Sequence, residues 1–266
     1  MILDRILEHK KAELRHKNSR GYLADLKTRI RDAGPTLGFA VTLDARRTAE
    51  RPALIAEVKK ASPSLGLLRP EFEQRFEPVT IAEAYREHGA SAVSVLTDKD
   101  FFQGDLAYLA DVKRTVGLPA LNKEFMVADI QFYEARAYGA DAVLLIVAGL
   151  EKRQLIDFSA LAKELSLDVL VETHDAAELD RALRLQSRLI GVNNRNLKDF
   201  TVDFARTYEL IDRAPDGCTF VAESGLTSHA DLAAMASHGV RCFLVGESLM
   251  RADDVELATR KLLGNA

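Results

Sequence analysis

Short apolar runs rich in valine, isoleucine and leucine recur along most of the chain, and their starts lie 21 to 38 residues apart. Nearly every position within a run is apolar, which is typical of a parallel strand that helices cover on both faces. The spacing leaves room for one strand, one helix and two loops per unit. The eight runs are residues 53–58, 91–97, 120–125, 142–147, 168–173, 189–194, 219–224 and 242–247.

Segments between these runs carry apolar residues at helical spacing, as in "PVTIAEAYREHGA", "DIQFYEARAYGA", "RQLIDFSALAKEL", "DAAELDRALRL" and "SHADLAAMASHG". Gly89, Gly139 and Gly239 come just before the next strand, where glycine suits the left-handed cap of a helix. Helical patterns are also predicted near residues 2–16 and 21–33. The chain therefore alternates strands and helices.

Eight strand–helix units favour a closed (β/α)8 TIM barrel, an α/β fold, over an open doubly wound sheet. The dinucleotide-binding alternative is weak, because no G-x-G-x-x-G follows any of the eight runs. We expect residues 1–266 to form one barrel domain. Residues 1–50 are expected to be a helical N-terminal extension packed on it.

Composition narrows the classes of partner. Of the 266 residues, 47% are apolar and 29% charged, with a net charge of −4, which argues against nucleic acid or an anionic membrane as the main partner. The charged N-terminus is not a signal peptide, and no apolar run approaches the roughly 18 residues that span a membrane. Cys218 and Cys242 suggest two small buried hydrophobes in a reducing compartment. We expect a cytoplasmic protein that acts as a monomer.

Polar residues inside the apolar runs concentrate at their C-terminal ends. In a parallel barrel these ends share one face, where the active sites of this fold lie. Such a group of ionisable residues is either mutually paired or waiting for a charged ligand, because an unpaired buried charge costs several kcal/mol. The residues at these ends are Glu57, Lys59, Lys123, Glu124, Glu172, Thr173, His174, Asn193, Asn194, Arg195, Glu223, Ser224, Gly225, Gly246 and Glu247.

Some of these residues have a simpler interpretation. Lys60 and Glu124 are expected to be ordinary solvated charges outside the barrel, and His174 is expected to start a loop. For Glu57, Lys59, Lys123 and Glu172, a satisfied ion-pair network that holds the top of the barrel stays open as an alternative to catalysis. The sequence alone does not choose between the two.

The motifs "AESGL" and "LVGES" predict a phosphate site after the seventh and eighth strands. Glycine lets the backbone approach a ligand, and free N–H groups at the start of a short helix favour an anion. Barrels often hold phosphate at this place. Simple tight turns are the competing interpretation.

Other chemistries find little support. The six histidines show no metal-ligand spacing, and no G-x-S-x-G motif is present. A metal site or a serine hydrolase is therefore not expected.

The ordered motifs of this chain resemble those of the indole-3-glycerol-phosphate synthase family of tryptophan biosynthesis. They are "IAEVKKASPSLG", "SVLTDKDFFQG", "LNKEFM", "VETHDAAEL", "GVNNRNL", "AESGL" and "FLVGESLMR", and they span about residues 50 to 251. The resemblance implies conversion of 1-(2-carboxyphenylamino)-1-deoxyribulose 5-phosphate to indole-3-glycerol phosphate, CO₂ and water. It implies a small phosphorylated substrate, no cofactor and no metal.

The resemblance also implies roles for residues. Lys123 resembles the general acid of ring closure, and Glu172 resembles the carboxylate of the later proton transfers. Lys59 resembles the lysine that contacts the substrate carboxylate and takes part in dehydration, and Glu57 matches a carboxylate that orients these groups. Asn193 matches a polar active-site residue. The implied substrate-binding residues are Ser62, Arg195, Phe102, Pro63, Leu144 and Leu197, and the implied phosphate-binding residues are Ser224, Gly225, Gly246 and Glu247.

The chain departs from the family pattern at three positions. Glu124 follows the motif lysine where aspartate is common, Asn122 stands where arginine is common, and Leu65 stands where lysine is common. Glu247 places a carboxylate near the expected phosphate, which requires its side chain to point away while its N–H binds. Two other functions stay open: another phosphate-binding sugar barrel such as phosphoribosylanthranilate isomerase, and a non-catalytic barrel scaffold.

Overall fold

Eight parallel strands form a closed barrel in a computed structural model that describes residues 2–15, 17, 19–48, 51–185, 187–196 and 199–265. Each strand pairs with the next along the chain, and the last strand pairs with the first. The predicted (β/α)8 barrel is confirmed. The strands are β1 (Ala53–Val58), β2 (Ala92–Leu96), β3 (Ala120–Lys123), β4 (Ala142–Ile146), β5 (Asp168–Thr173), β6 (Leu189–Asn193), β7 (Thr219–Glu223) and β8 (Cys242–Val245).

Alternate residues of each strand face the interior of the barrel, because successive strand side chains point to opposite faces. In β1, Ala53 and Ile55 belong to the interior apolar cluster, whereas Leu54 and Ala56 pack in the outer cluster with the surrounding helices. Glu57 has the parity of Ile55 and is buried at the C-terminal end of the strand. The same parity places one polar residue of several strands at the mouth.

Several strands end earlier than the apolar runs predict. β3 ends at Lys123, β6 at Asn193 and β8 at Val245. The residues that follow leave the ladder and enter the loops, where their polar side chains meet partners from other elements. After β1, a short hairpin pairs residues 61–62 with residues 66–67 and carries the chain over the edge of the mouth.

Helices cover the outside of the barrel between the strands. Gly89, Gly139 and Gly239 follow three of them with φ values of 99°, 91° and 90°, so the predicted glycine stops are confirmed. The helices are α1 (Ile2–Leu14), α2 (Arg20–Asp32), α3 (Phe39–Arg46), α4 (Pro78–Glu87), α5 (Lys99–Phe102), α6 (Leu106–Val116), α7 (Ile130–Ala137), α8 (Lys152–Glu164), α9 (Ala176–Ala182), α10 (Ala205–Ile211), α11 (His229–Ser237), α12 (Glu247–Met250) and α13 (Val255–Leu262), with short 3-10 turns at Pro70–Glu73 and Val147–Gly149.

Helices α1 and α3 pack against opposite ends of the barrel interior, and α2 packs against α7. Phe39 and Leu43 of α3, a helix that the sequence pattern did not predict, are fully buried in the interior cluster. The backbone N–H of Ala40 donates to Asp168 at the start of β5, which places α3 under the N-terminal end of the barrel. Helix α1 lies at the opposite end, where Leu3 belongs to the same cluster.

The two cysteines differ in environment. Cys242 is fully buried inside the barrel, where burial raises its thiol pKa to about 12, and Cys218 is half-buried. Both thiols are unpaired. Over the described ranges, no helix is both long enough and apolar enough to cross a membrane.

Candidate active site

A cavity of about 480 Å³ opens at the C-terminal ends of the strands. It gathers the residues that the sequence singled out, although they come from separate parts of the chain. Leu197 lies outside the described residues. The other predicted site residues all line the cavity: Glu57, Lys59, Ser62, Pro63, Phe102, Lys123, Leu144, Glu172, Asn193, Arg195, Ser224, Gly225, Gly246 and Glu247.

Glu57 joins the two lysines of the cavity. Its Oε1 lies 2.8 Å from Lys59 Nζ, and its Oε2 accepts a hydrogen bond of 3.3 Å from Lys123 Nζ. A Cβ on Gly246 would clash with the Glu57 carboxylate, so glycine is needed there to let β8 approach this side chain. One buried carboxylate thus holds both ammonium groups on the same wall.

The charges in this group control one another. Burial alone would raise the pKa of Glu57, but the adjacent Lys59 and Lys123 outweigh it and lower that pKa to about 2. Burial alone would lower the pKa of Lys123, but the charges of Glu57, Glu223 and Glu172 raise it above its ordinary value. Lys123 is therefore held as an ammonium group that is able to donate a proton.

Glu223 is a site residue to which sequence reasoning assigned no role. It is buried at the end of β7, and its Oε2 lies 3.6 Å from Lys123 Nζ. Its Oε1 has no hydrogen-bond partner within the described residues, and burial together with the nearby Glu172 raises the pKa of Glu223. Glu223 lies two residues after Val221, which faces the interior, just as Glu57 lies two residues after Ile55. This alternation is the signal that could have identified it.

Glu172 and Asn193 lie on neighbouring strands and contact each other. Asn193 Nδ2 donates to Glu172 Oε1 at 3.1 Å, and Asn193 Oδ1 accepts from the backbone N–H of Arg195 at 3.0 Å. Asn194 has the opposite parity and is fully buried away from the cavity, where its Nδ2 donates to the carbonyl oxygen of Glu223. Of the two adjacent asparagines, only Asn193 lines the cavity.

His174 does more than start a loop, contrary to expectation. Its side chain is 11% exposed, and it lies between Glu172 and Glu178. Burial would lower the pKa of His174, but the hydrogen bond to Glu178 and the charges of Glu172, Glu178 and Glu223 raise it. Sequence reasoning missed this contact because Glu178 lies one helical turn into α9.

The expected phosphate turns lie side by side after β7 and β8. Ser224 has φ of 63° and Gly225 φ of 80°, and a Cβ on Gly225 would clash with Val202. A left-handed conformation is uncommon for a residue other than glycine, so Ser224 is held in a sharp turn. Asn194 supports this turn by donating to the backbone carbonyl oxygens of Glu223 and Ser224.

The carboxylate of Glu247 is tied to an arginine. Arg195 donates to Glu247 Oε2 at 2.9 Å, and Arg251 lies 3.9 Å from Oε1. The side chain thus has cationic partners of its own at the start of α12. The Glu247 side chain is thus paired with arginine, as the expected binding of phosphate by its backbone N–H requires.

One side of the cavity is apolar. Phe102 of α5 packs against Phe125 with ring centroids 5.9 Å apart. Leu144 of β4 and Pro63 of the hairpin lie on the same cavity, and so does α1 through its first turns, including Ile6. An aromatic ring could pack on this wall while the charged wall faces its substituents.

The expectation that Glu124 is a solvated charge is wrong. Its parity is opposite to that of Lys123, its side chain is 11% exposed, and its Oε2 accepts a hydrogen bond of 3.3 Å from Lys10 of α1. Lys10 Nζ also lies 2.8 Å from Asp98 at the start of α5. Burial, opposed by Lys10 and reinforced by Asp98, raises the pKa of Glu124 to about 7. Lys60 is half-buried.

No metal-ligand cluster is found in the part of the chain that the structure describes: no three or more His, Cys, Asp or Glu side chains are placed to hold an ion. The mouth instead presents ammonium, carboxylate and amide groups beside an apolar wall. Such a set can exchange protons with a bound anionic substrate.

Comparison with known proteins gives one consistent family. The family "Indole-3-glycerol phosphate synthase" matches residues 3–262. Proteins of that name are 54% identical in Rhizorhabdus wittichii (99% of this chain, 98% of the relative), 50% in Azospirillum brasilense (98% of each) and 45% in Neisseria meningitidis (98% of each). These matches cover the whole barrel together with the N-terminal helices.

Solved structures with little sequence similarity share the fold. A tryptophan synthase structure from M. tuberculosis has a TM-score of 0.63 at 15% identity, over 85% of this chain and 98% of its own. A 3-hexulose-6-phosphate synthase has a TM-score of 0.63 at 15% identity, over 80% and 99%. These likenesses support the barrel architecture alone.

Proposed function

The chain belongs to the indole-3-glycerol phosphate synthase family, and we propose that its cavity performs that reaction through Lys123, Glu172, Lys59 and Glu57. The enzyme is a carbon–carbon lyase of tryptophan biosynthesis. It converts 1-(2-carboxyphenylamino)-1-deoxyribulose 5-phosphate to indole-3-glycerol phosphate, CO₂ and water. The observation that carries the residue assignment is the contact of Glu57 with both lysines at one end of the barrel.

Lys123 acts as the acid of ring closure. The aromatic carbon that bears the carboxylate attacks the ketone carbon, and the ketone oxygen needs a proton as negative charge develops on it. The ammonium group of Lys123, kept charged by Glu57 and Glu223, donates that proton. Its position at a strand end fixes it more firmly than a loop would.

Decarboxylation and dehydration follow. The bond to the carboxylate breaks, CO₂ leaves, and the electron pair restores the aromatic ring. The hydroxyl group then leaves as water, and a proton is removed from the new ring. Glu172, held by Asn193, takes that proton, and Lys59 contacts the substrate carboxylate before assisting loss of the hydroxyl.

The apolar wall holds the aromatic ring of the substrate. Phe102, Pro63 and Leu144 line the cavity and give it apolar surface. Ser62 lies in the hairpin at the edge of the mouth, from which its hydroxyl can hydrogen bond to substrate oxygens. We expect Leu197 to contribute to this wall as well.

The phosphate group is anchored by the turns after β7 and β8. The backbone N–H groups of Gly225, Gly246 and Glu247 and the Ser224 position line the same end of the cavity, with Arg195 nearby. Binding energy from a group remote from the reacting carbons holds those carbons in place. The pairing of the Glu247 side chain with Arg195 supports phosphate binding through the backbone N–H.

We extend the proposal to the partner and the location. We expect the protein to act as a monomer on a small phosphorylated molecule. The unpaired thiols of Cys218 and Cys242 support a reducing, cytoplasmic compartment. Residues 1–50 act as an extension of the barrel domain, because α1 lines its cavity and α3 closes its base.

The test is the appearance of the indole product. Purified protein is mixed with 1-(2-carboxyphenylamino)-1-deoxyribulose 5-phosphate, and indole fluorescence is followed in wild type and in Glu172→Gln. We expect turnover in wild type and a loss of roughly a hundredfold or more in the variant. Isomerisation of phosphoribosylanthranilate in place of indole formation would favour the alternative isomerase, and no change with either substrate would favour a scaffold.

A further inference from the structure

His174 is buried between two carboxylates behind the active site. Its Nδ1 lies 3.0 Å from Glu178 Oε2, and its Nε2 lies 3.4 Å from Glu172 Oε1. The backbone N–H of His174 also donates to Glu178 Oε2, at 2.8 Å. Glu172 lines the cavity whereas His174 does not, so the imidazole reaches the substrate only through Glu172.

The geometry favours an imidazolium over either neutral form. If only Nδ1 carries a proton, the lone pair of Nε2 faces Glu172 Oε1. If only Nε2 carries it, the lone pair of Nδ1 faces Glu178 Oε2. With two protons, Nδ1 donates to Glu178 Oε2 and the positively charged ring faces Glu172 Oε1, so neither carboxylate meets a lone pair. His174 Nε2 has no hydrogen-bond partner within the described residues, so its 3.4 Å approach to Glu172 Oε1 is a charge contact.

The charged groups with the largest effect on the ring are acidic. Those that face it are Glu172 on β5, Glu178 on α9 and Glu223 on β7. A cation beside Glu172 and Glu178 is stabilised by both carboxylates, and Glu223 makes a smaller contribution. Glu223 in turn contacts Lys123, so the imidazolium belongs to the same charge network as the proposed acid.

We propose that His174, protonated on both nitrogens, is a positioning residue that holds Glu172 in the orientation needed for proton removal. This inference rests on the proton-transfer role proposed for Glu172. His174 and Asn193 both contact Oε1 of that carboxylate, from two different elements. We expect the other oxygen, Oε2, to be the one that takes the proton. Glu178 anchors the ring from α9 through the bond to Nδ1 and the bond to the backbone N–H.

The main test compares His174→Gln, Glu178→Gln and a control, His238→Gln. His238 is an exposed histidine that follows α11 at the opposite end of the barrel. We expect kcat to fall by at least roughly tenfold in His174→Gln with little change in KM, because the phosphate and ring contacts stay intact. The control should match wild type.

The pH profile separates positioning from a purely structural role. The wild-type kcat should decline as pH rises through the pKa of His174, because the imidazolium is lost. That inflection should move to lower pH in Glu178→Gln, which lacks one stabilising charge, and should vanish in His174→Gln. NMR titration of the ring signal that disappears in His174→Gln identifies the group directly.

Three results would overturn the inference. They are an unchanged kcat in His174→Gln, an inflection that Glu178→Gln does not move, and a ring that titrates below the usual histidine range of about 6.5. If His174→Gln fails to fold, the titration and Glu178→Gln still decide. Normal turnover in Glu172→Gln would instead refute the role proposed for Glu172, and absence of indole in wild type would refute the proposed function, whereas an inactive Glu172→Gln beside a normal His174→Gln refutes only the role of His174.

Discussion

Glu57 Oε2 accepts a hydrogen bond from Lys123 Nζ at 3.3 Å, although the two residues are 66 positions apart in the chain. The same carboxylate contacts Lys59 through its other oxygen, at 2.8 Å. A buried ammonium group needs such a partner before the substrate arrives, since its burial alone would favour the neutral amine. The pair therefore keeps an acid charged beside an apolar pocket.

Glu57→Gln should destabilise the protein more at neutral pH than in acid. The pKa of Glu57 is lowered from 4.5 to about 2 by folding, so its contribution is present above pH 4.5 and lost as pH falls towards about 2. We expect the free energy of unfolding to drop on the order of 3 kcal/mol at pH 7, and by less at pH 3. Urea unfolding at both pH values measures this, with exposed Glu87→Gln as control. An equal loss at both would contradict the assignment.

Glu124→Gln should have the opposite pH signature. Because folding raises the pKa of Glu124 from 4.5 to about 7, the unfolded chain loses this proton first, and stability falls as pH rises between these values. The variant should lack that decline, gaining on the order of 2 kcal/mol over wild type between pH 5 and pH 8. Chemical unfolding across this range measures the difference, with exposed Glu209→Gln as control. Parallel curves for variant and wild type would refute it.

Gly246→Ala should impair catalysis through Glu57. A Cβ at this position meets the Glu57 carboxylate, which must then move away from the lysines. We expect kcat/KM to fall at least roughly tenfold, since small misplacements of a catalytic group are costly. Gly21→Ala adds the same methyl group where no atom lies within 4 Å, and it should leave activity unchanged. Equal activities in the two variants would show that Gly246 does not position Glu57.

Inorganic phosphate should inhibit competitively by occupying the turns after β7 and β8. Gly225→Ala disturbs this place through its φ of 80° and through Val202, so it should weaken inhibition roughly tenfold, or about 1.4 kcal/mol. Gly239→Ala carries similar backbone strain, at φ of 90°, outside the cavity. Steady-state kinetics with increasing phosphate compares them. The same inhibition constant in Gly225→Ala as in wild type would place phosphate elsewhere.

The barrel could be predicted from the sequence because its strands are buried on both faces and so are apolar at almost every position. The ends of the strands could not be predicted from the sequence. Glu124 and Gly246 follow the last residues of their strands, where contacts with distant residues determine the structure. Helix α3 was missed because its apolar residues plug the base of the barrel, a role that only the closed sheet defines.

The sequence likewise predicted part of the candidate site. The position of polar residues at strand ends was enough to bring Lys59, Lys123 and Glu172 to one mouth. The position of Glu223 in its strand could have identified it, but the contacts of Glu223 and His174 could not be predicted, because they depend on which neighbours the closed barrel brings within reach. The expectation for Glu124 was wrong because its partner, Lys10, lies 114 residues earlier in α1.

The most direct test of the whole account is the turnover of Lys123→Ala. If Lys123 supplies the proton for ring closure, kcat for indole formation should fall at least about a hundredfold while the variant still binds inorganic phosphate. Lys261→Ala, on the exposed face of α13, should retain wild-type kcat. A Lys123→Ala enzyme that forms indole at a near-normal rate would contradict the central claim.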